Sequence, residues 1–296
     1  MREGQTFSGR SRFTAYVNLV RLPHTLFALP FALVGATLAS YHAPVTLSEI
    51  GWIVLAFTAA RFAAMGFNRI VDRRIDAGNP RTAMRELPRG VLSVPEASLA
   101  VAIASVLFVV SAWQLNGVCF ALSPLALAWV FFYSFTKRFT RWSHLVLGVG
   151  LAMAPAGGYL AITGRWSEPW WMLWAMALAV TTWSGGFDIL YSLQDVEFDR
   201  ANRLHSVPAM LGESRAITIA RVLHTLTVSS LVLVGLATSA GWLYWVGTAV
   251  AAGLLLYEHT LVAVDDLSRL NAAFFTMNGV ISIVFFAFVL AERLVR

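Results

Sequence analysis

The sequence predicts an all-α integral membrane protein: nine transmembrane helices, arranged as two four-helix pseudo-repeats plus a ninth helix. Three observations carry this. Of 296 residues, 58% are hydrophobic and 13% charged, with a mean hydropathy of +0.67; soluble domains carry about 25% charged residues. Apolar stretches long enough to span a bilayer recur along the whole chain. Two clusters of carboxylates also recur, one at the end of the second stretch and one at the end of the sixth. This composition excludes a disordered chain, a nucleic-acid-binding tail and a disulfide scaffold. Cys119 is the only cysteine, which rules out an intrachain disulfide and a thiolate metal site.

The expected spans are residues 23–41, 50–71, 96–114, 117–135, 143–163, 169–192, 215–238, 241–262 and 271–291. About 20 apolar residues cross the hydrocarbon, and lipid leaves no partner for an open strand edge, so each span is helical. The chain reads as a single transmembrane domain over 1–296, with about 20 N-terminal residues expected to be cytoplasmic and flexible. Those residues hold no apolar run before a small-residue cleavage site, so the first span is expected to act as its own insertion signal. Connections after the first, third, fifth and seventh spans are short and contain one basic residue, Arg165. The N-terminus and the other connections hold 17 of the 22 basic residues, which makes that side cytoplasmic. Arg293 and Arg296 fall on the opposite side, outweighed by the earlier loops. The expected location is a bacterial-type inner membrane, in contact with lipid and not nucleic acid, with no obligatory protein partner.

Asn68, Asp72 and Asp76 recur every fourth residue, so one helical face presents three oxygen ligands a turn apart. Asp188, Tyr191, Asp195 and Asp199 share a face at spacings of three, four and four. The clusters continue alike, with Asn79-Pro80-Arg81 after the first and Asn202-Arg203 after the second. An even number of spans between equivalents makes a parallel repeat, with both clusters at the same membrane face. Stacked carboxylates repel unless neutralised. Interfacial ion pairs to Arg73 and Arg74 would explain one cluster; two matched clusters favour a shared ligand. All-oxygen donors select Mg²⁺ over Zn²⁺. Mg²⁺ held by one or two carboxylates beside arginines is a site for a diphosphate. A cation-coupled transporter is the alternative of another class, although such sites lie near the bilayer midplane.

These residues resemble the UbiA superfamily of membrane prenyltransferases. The family's first motif, N-D-x-x-D-x-x-x-D, is matched by Asn68 to Asp76 except that Arg69 stands for its first Asp. Arg69 is expected to point off the ligand stripe. The second motif is matched by Asp188, Asp195 and Asp199, with Tyr191 between them as a substrate-lining residue. Gly186-Phe187-Asp188-Ile189-Leu190-Tyr191 and Asn79-Pro80-Arg81-Thr82-Ala83 resemble the bacterial branch that prenylates hydroxybenzoate-type or naphthoate acids in ubiquinone or menaquinone biosynthesis. Tyr133 to Arg138 resembles a further family segment.

The resemblance implies Mg²⁺-dependent transfer of a polyprenyl group from an allylic diphosphate to an aromatic acid of the 4-hydroxybenzoate type. A carboxynaphthoate is the alternative acceptor. Asn68, Asp72 and Asp76 would hold one Mg²⁺, and Asp195 and Asp199 another; Lys137, Arg81, Arg203 and Tyr133 would bind the diphosphate. Asp188, deeper in its span, is the candidate base or phenol-orienting group. Arg61 lies two turns deeper than Asn68, where an unpaired Arg costs at least about 2.5 kcal/mol; either it pairs elsewhere or it receives the acceptor's carboxylate. Trp174, Trp183 and Phe187 are candidates to shield an allylic cation, and the remaining tryptophans are read mostly as interfacial anchors. Glu258, His259, His24 and His224 are expected in packing, and Asp265 and Asp266 in a loop. Gly148, Gly150, Gly157 and Gly158 are expected at close helix contacts.

Overall fold

The computed structural model describes residues 11–21, 25–262, 267, 270 and 276–296. Helix α1 spans Arg12–Leu19, α2 Thr25–Ala39, α3 Leu47–Gly78, α4 Val94–Leu115, α5 Gly117–Thr136 and α6 Ser143–Thr163. Then follow α7 Trp171–Ser192, α8 Val196–Ala201, α9 Val207–Leu211, α10 Glu213–Ala237, α11 Trp242–Thr260 and α12 Asn278–Val295. No strand occurs among the described residues. His24, Asp265, Asp266 and Arg269 lie outside them.

Among the described residues, seven helices are long and apolar enough to cross a membrane: α3 to α7, α10 and α12. The protein is a multi-pass membrane protein. The other two expected spans are helical but fall short on this measure. Helix α2 counts 15 residues, and the tryptophans, tyrosines, Glu258 and His259 of α11 depress its hydropathy. Nine is thus the count the sequence predicts, and seven the count that length and apolarity support.

Local chemistry sets the helix starts. Thr46 and Glu49 close a capping box at α3, as Ser93 and Glu96 do at α4. Asn116 accepts from Cys119 N–H at the head of α5. Helix α6 stops at Gly164, which takes a left-handed conformation. Leu99, Ile103, Val106, Phe120 and Leu125 are exposed on α4 and α5, as lipid-facing residues are.

Helix α7 is the most buried span, packed against α6 and α10, with α2 also against α6 and α3 along α4. Small residues make these approaches close. A Cβ on Gly148 would collide with the Thr181 carbonyl, and one on Gly158 with that of Ala32. The expectation of close contact fails at the other two glycines: Gly157 faces open space, and Gly150 has only ordinary contact with Val130. Trp183 is fully buried between Phe31 and Phe187, each 4.9 Å away by ring centroids. The N-terminal segment is not wholly the flexible tail expected, since α1 buries Ala15 and Leu19 against residues of α3, α4 and the loop joining them.

Candidate active site

Helix α3 runs unbroken for 32 residues, about 48 Å at 1.5 Å per residue. That exceeds the roughly 30 Å of hydrocarbon, so its last turns emerge from the apolar layer. Asn68, Asp72 and Asp76 stack there on one face as expected, and Asn68 Nδ2 donates to Asp72 Oδ2 at 3.1 Å. Asp72 and Asp76 are buried at 2% and 4% exposure.

In the second cluster a 3-10 turn interrupts the α geometry, yet Asp188, Tyr191, Asp195 and Asp199 all line one cavity. Helix α7 ends at Ser192; a 3-10 turn, Leu193–Asp195, intervenes before α8. The cause is local. Ser192 Oγ donates to Ile189 O at 2.8 Å and Gln194 Nε2 to Tyr191 O at 2.9 Å, so side chains serve the last carbonyls of the helix. Beyond the turn, Asp199 Oδ2 accepts from Ser206 Oγ at 2.8 Å.

Both clusters nevertheless line one cavity of about 190 Å³ between α3, α5, α6 and α7. Asn68, Asp72, Asp76, Arg81, Tyr133, Lys137, Asp188, Tyr191, Asp195 and Asp199 all contribute to its wall. The two motifs are at one end of the bundle, as a parallel repeat requires.

Ion pairs cross this cavity. Lys137 Nζ lies 2.5 Å from Asp72 Oδ2, and Arg138 Nη2 donates to Asp72 Oδ1 at 2.8 Å. Arg85 Nη1 donates to Asp76 Oδ1 at 2.6 Å. Arg81 grips Asp195 with two bonds, Nε to Oδ1 at 2.9 Å and Nη2 to Oδ2 at 2.6 Å. Its Nη1 also donates to the Tyr191 hydroxyl at 3.1 Å. Asn79 positions it, accepting from Arg81 N–H at 2.9 Å while donating to Asp195 Oδ1 at 3.0 Å. The tail of the first motif thus reaches across to the second.

Two predicted site residues are not brought in. Arg203 follows the end of α8, takes a left-handed φ of 54° and is exposed, away from the cavity wall. Arg61 sits half-buried on α3 outside that wall, and its buried Nε makes no hydrogen bond among the described residues. Arg69, expected to point off the ligand stripe, is buried. Its Nε donates to Leu19 O at 3.2 Å, and Nη1 lies 3.8 Å from Asp76 Oδ2. A residue seven positions before Asp76 is two turns away on nearly the same face, and the long Arg side chain spans the gap.

Glu258 and His259 stay off the cavity wall: Glu258 accepts from Asn278 Nδ2, and His259 meets the buried His224 at 3.0 Å. Sequence reasoning missed Arg85, Arg138, Asn79 and His144 as side chains engaging the carboxylates. For Arg85 the signal was available, since it lies nine residues past Asp76 on the returning loop.

The pattern of the UbiA prenyltransferase family matches residues 28–280. The chain belongs to the UbiA prenyltransferase family. It is an enzyme of the prenyltransferase class, which removes the transporter reading. A UbiA homologue from Aeropyrum pernix K1 is 34% identical, with a TM-score of 0.83 over 91% of this chain and 98% of that one. A UbiA homologue from Archaeoglobus fulgidus, solved bound to DMAPP and Mg²⁺, has a TM-score of 0.73 at 21% identity, covering 95% of this chain and 99% of that one, and supports the fold. The 4-hydroxybenzoate octaprenyltransferase of Alcanivorax borkumensis is 29% identical over 250 residues, 83% of this chain and 84% of its own length.

Proposed function

We propose that this family member transfers a polyprenyl group from an allylic diphosphate to an aromatic carboxylic acid of the 4-hydroxybenzoate type, in ubiquinone or menaquinone biosynthesis. The cavity would open to the cytoplasmic side of a bacterial-type inner membrane. The observation that carries the reading is the convergence of both carboxylate clusters, with Arg81 and Lys137, on one cavity wall. The relatives named 4-hydroxybenzoate octaprenyltransferase support the acceptor class.

The donor set fits Mg²⁺. It is all oxygen, and Asp76 Oδ2 is buried without a hydrogen bond among the described residues. No three His, Cys, Asp or Glu side chains stand close enough together to hold a metal ion by themselves among the described residues, and Mg²⁺ is ordinarily held by one or two carboxylates together with substrate phosphates. Asn68, Asp72 and Asp76 would hold it on one wall, and Asp195 and Asp199 on the other. Bound there, Mg²⁺ would neutralise charge building on the leaving diphosphate.

The chain's own residues do the rest. Arg81 and Lys137 offer fixed positive charge to the phosphate oxygens, an interaction that strengthens as the C–O bond breaks. Tyr133 and Tyr191 line the same wall. Trp183 and Phe187, packed edge to face, belong to an apolar core that keeps water from the allylic cation. Arg61 lies outside this cavity wall and would meet the acceptor's carboxylate from deeper along α3; its buried Nε makes no hydrogen bond among the described residues. Asp188 takes the proton that the ring gives up.

The test is turnover by purified, detergent-solubilised protein with geranyl or longer diphosphates and Mg²⁺, offered 4-hydroxybenzoate beside a carboxynaphthoate, with products read by mass spectrometry. A prenylated hydroxybenzoate that disappears with EDTA and returns with Mg²⁺ is expected. Arg61→Gln should raise KM for the acid and leave that for the diphosphate unchanged. Prenylation of the naphthoate alone would replace the acceptor, and EDTA-resistant turnover would refute the metal assignment.

A further inference from the structure

Two glycines set the distance between α6 and α7 on one side of the cavity. Besides Gly148 against the Thr181 carbonyl, a Cβ on Gly185 would meet Leu145 Cδ2 at 2.8 Å. His144 stands one turn before Gly148, and Asp188 one turn after Gly185. The close approach brings their side chains together, with His144 Nδ1 2.7 Å from Asp188 Oδ2. The imidazole is buried at 4% exposure, whereas 22% of the Asp188 side chain is accessible.

The second ring nitrogen fixes the tautomer. Val207 N–H points at His144 Nε2 across 3.4 Å. A backbone N–H can only donate, so Nε2 is the acceptor and the ring proton sits on Nδ1. Nδ1–H therefore donates to Asp188 Oδ2. Asp188 Oδ1 makes no hydrogen bond among the described residues, on a side chain that lines the cavity.

We propose that His144 is a positioning residue, which holds Asp188 by Oδ2 and leaves Oδ1 to receive the proton displaced from the aromatic acceptor. This rests on the reading of Asp188 as the base. The prenyl C1–O bond breaks with its electron pair leaving on the diphosphate. A ring π pair then forms the new bond to C1, and the ring C–H pair returns to the ring as its proton moves to Oδ1. His144 itself cannot take that proton from the cavity, because Nδ1 already carries one and Nε2 faces Val207. Its contribution is aim, and a misplacement of about 1 Å costs turnover on the order of 100-fold.

The experiment uses the full-length protein in detergent with saturating Mg²⁺ and acceptor, comparing His144→Leu, His144→Asn and Asp188→Asn. Thermal unfolding and binding of a non-hydrolysable prenyl diphosphate analogue identify folded, binding-competent variants. His144→Leu is expected to lower kcat by about 100-fold while KM for the diphosphate stays within twofold. His144→Asn, whose amide N–H stands near the place of Nδ1–H, is expected to recover at least tenfold of that loss. Full kcat in His144→Leu, or a loss confined to KM, overturns the proposal. So does an Asn variant no better than Leu, since burial alone would then account for the effect. If Asp188→Asn keeps its turnover, the base assignment fails and the proposal falls with it. If Asp188→Asn loses turnover while His144→Leu keeps it, the base stands and the role of His144 alone is refuted.

Discussion

Replacing Arg81 tests the contact that joins the two motifs. In Arg81→Met the side chain keeps much of its apolar length and loses, among other contacts, its two bonds to Asp195 and its bond to the Tyr191 hydroxyl. The side chains of the pair are 13% and 14% exposed, so solvent screens it far less than a surface pair. Unit charges about 4 Å apart at an effective dielectric near 20 attract by about 4 kcal/mol. After substitution the hydrogen bond from Asn79 Nδ2 still reaches Asp195. Breaking one side of a buried pair costs about 3–5 kcal/mol, so the thermal midpoint should fall. Turnover should fall further, by about 10²–10³-fold, the loss typical of removing one preorganised donor to developing negative charge. Arg81→Lys separates the two effects: it keeps the charge but not the fork that meets both carboxylate oxygens. It should recover much of the stability and remain at least about tenfold slow. The assay is product formation at varied prenyl diphosphate concentration, with unfolding followed by intrinsic fluorescence. An Arg81→Met protein with turnover within threefold of the parent and an unchanged midpoint would refute the reasoning.

Arg203 offers the contrasting case. Exposed and away from the cavity wall, Arg203→Ala should leave turnover within about twofold, the range of surface substitutions; a tenfold loss in the same assay would return it to the site. Two glycines on α6 should respond with opposite signs. Gly148→Ala forces a methyl into the Thr181 carbonyl, a backbone atom that cannot swing aside, and should destabilise by about 1–3 kcal/mol. Gly157→Ala meets open space and should stabilise by about 0.5–1 kcal/mol through helix propensity. Equal shifts in thermal midpoint for the two would contradict the close approach of α6 to α7 at Gly148.

What was legible in the sequence was what depends on local period. The stripe Asn68, Asp72, Asp76 could be read because α3 contains no proline and stays helical through Asp76, so a spacing of four holds across it. The second stripe could not be read the same way. Its break depends on Ser192 and Gln194 turning back onto carbonyls, a choice between competing bonds that periodicity does not record. Partners distant in sequence were illegible for another reason: Arg81 and Asp195 are 114 positions apart, and His144 and Asp188 are 44 apart. Each is positioned by a loop return or a glycine contact between helices.

The two halves differ in which of their equivalent tails, Asn79-Pro80-Arg81 and Asn202-Arg203, turns its arginine into the cavity. Only the first does, and its Arg neutralises Asp195. The second tail instead turns its backbone inward: His205 N–H donates to Lys137 O at 2.8 Å, while Ser206 Oγ holds Asp199. Lys137 in turn neutralises Asp72. The second half thus anchors a cation from α5 where the first supplies its own, so both motifs receive positive charge although the repeat in sequence is only approximate. On this reasoning the lysine and the inward arginine are equivalent in charge and unequal in origin, and exchanging Arg203 for another residue leaves the circuit intact so long as His205 keeps its hold on Lys137.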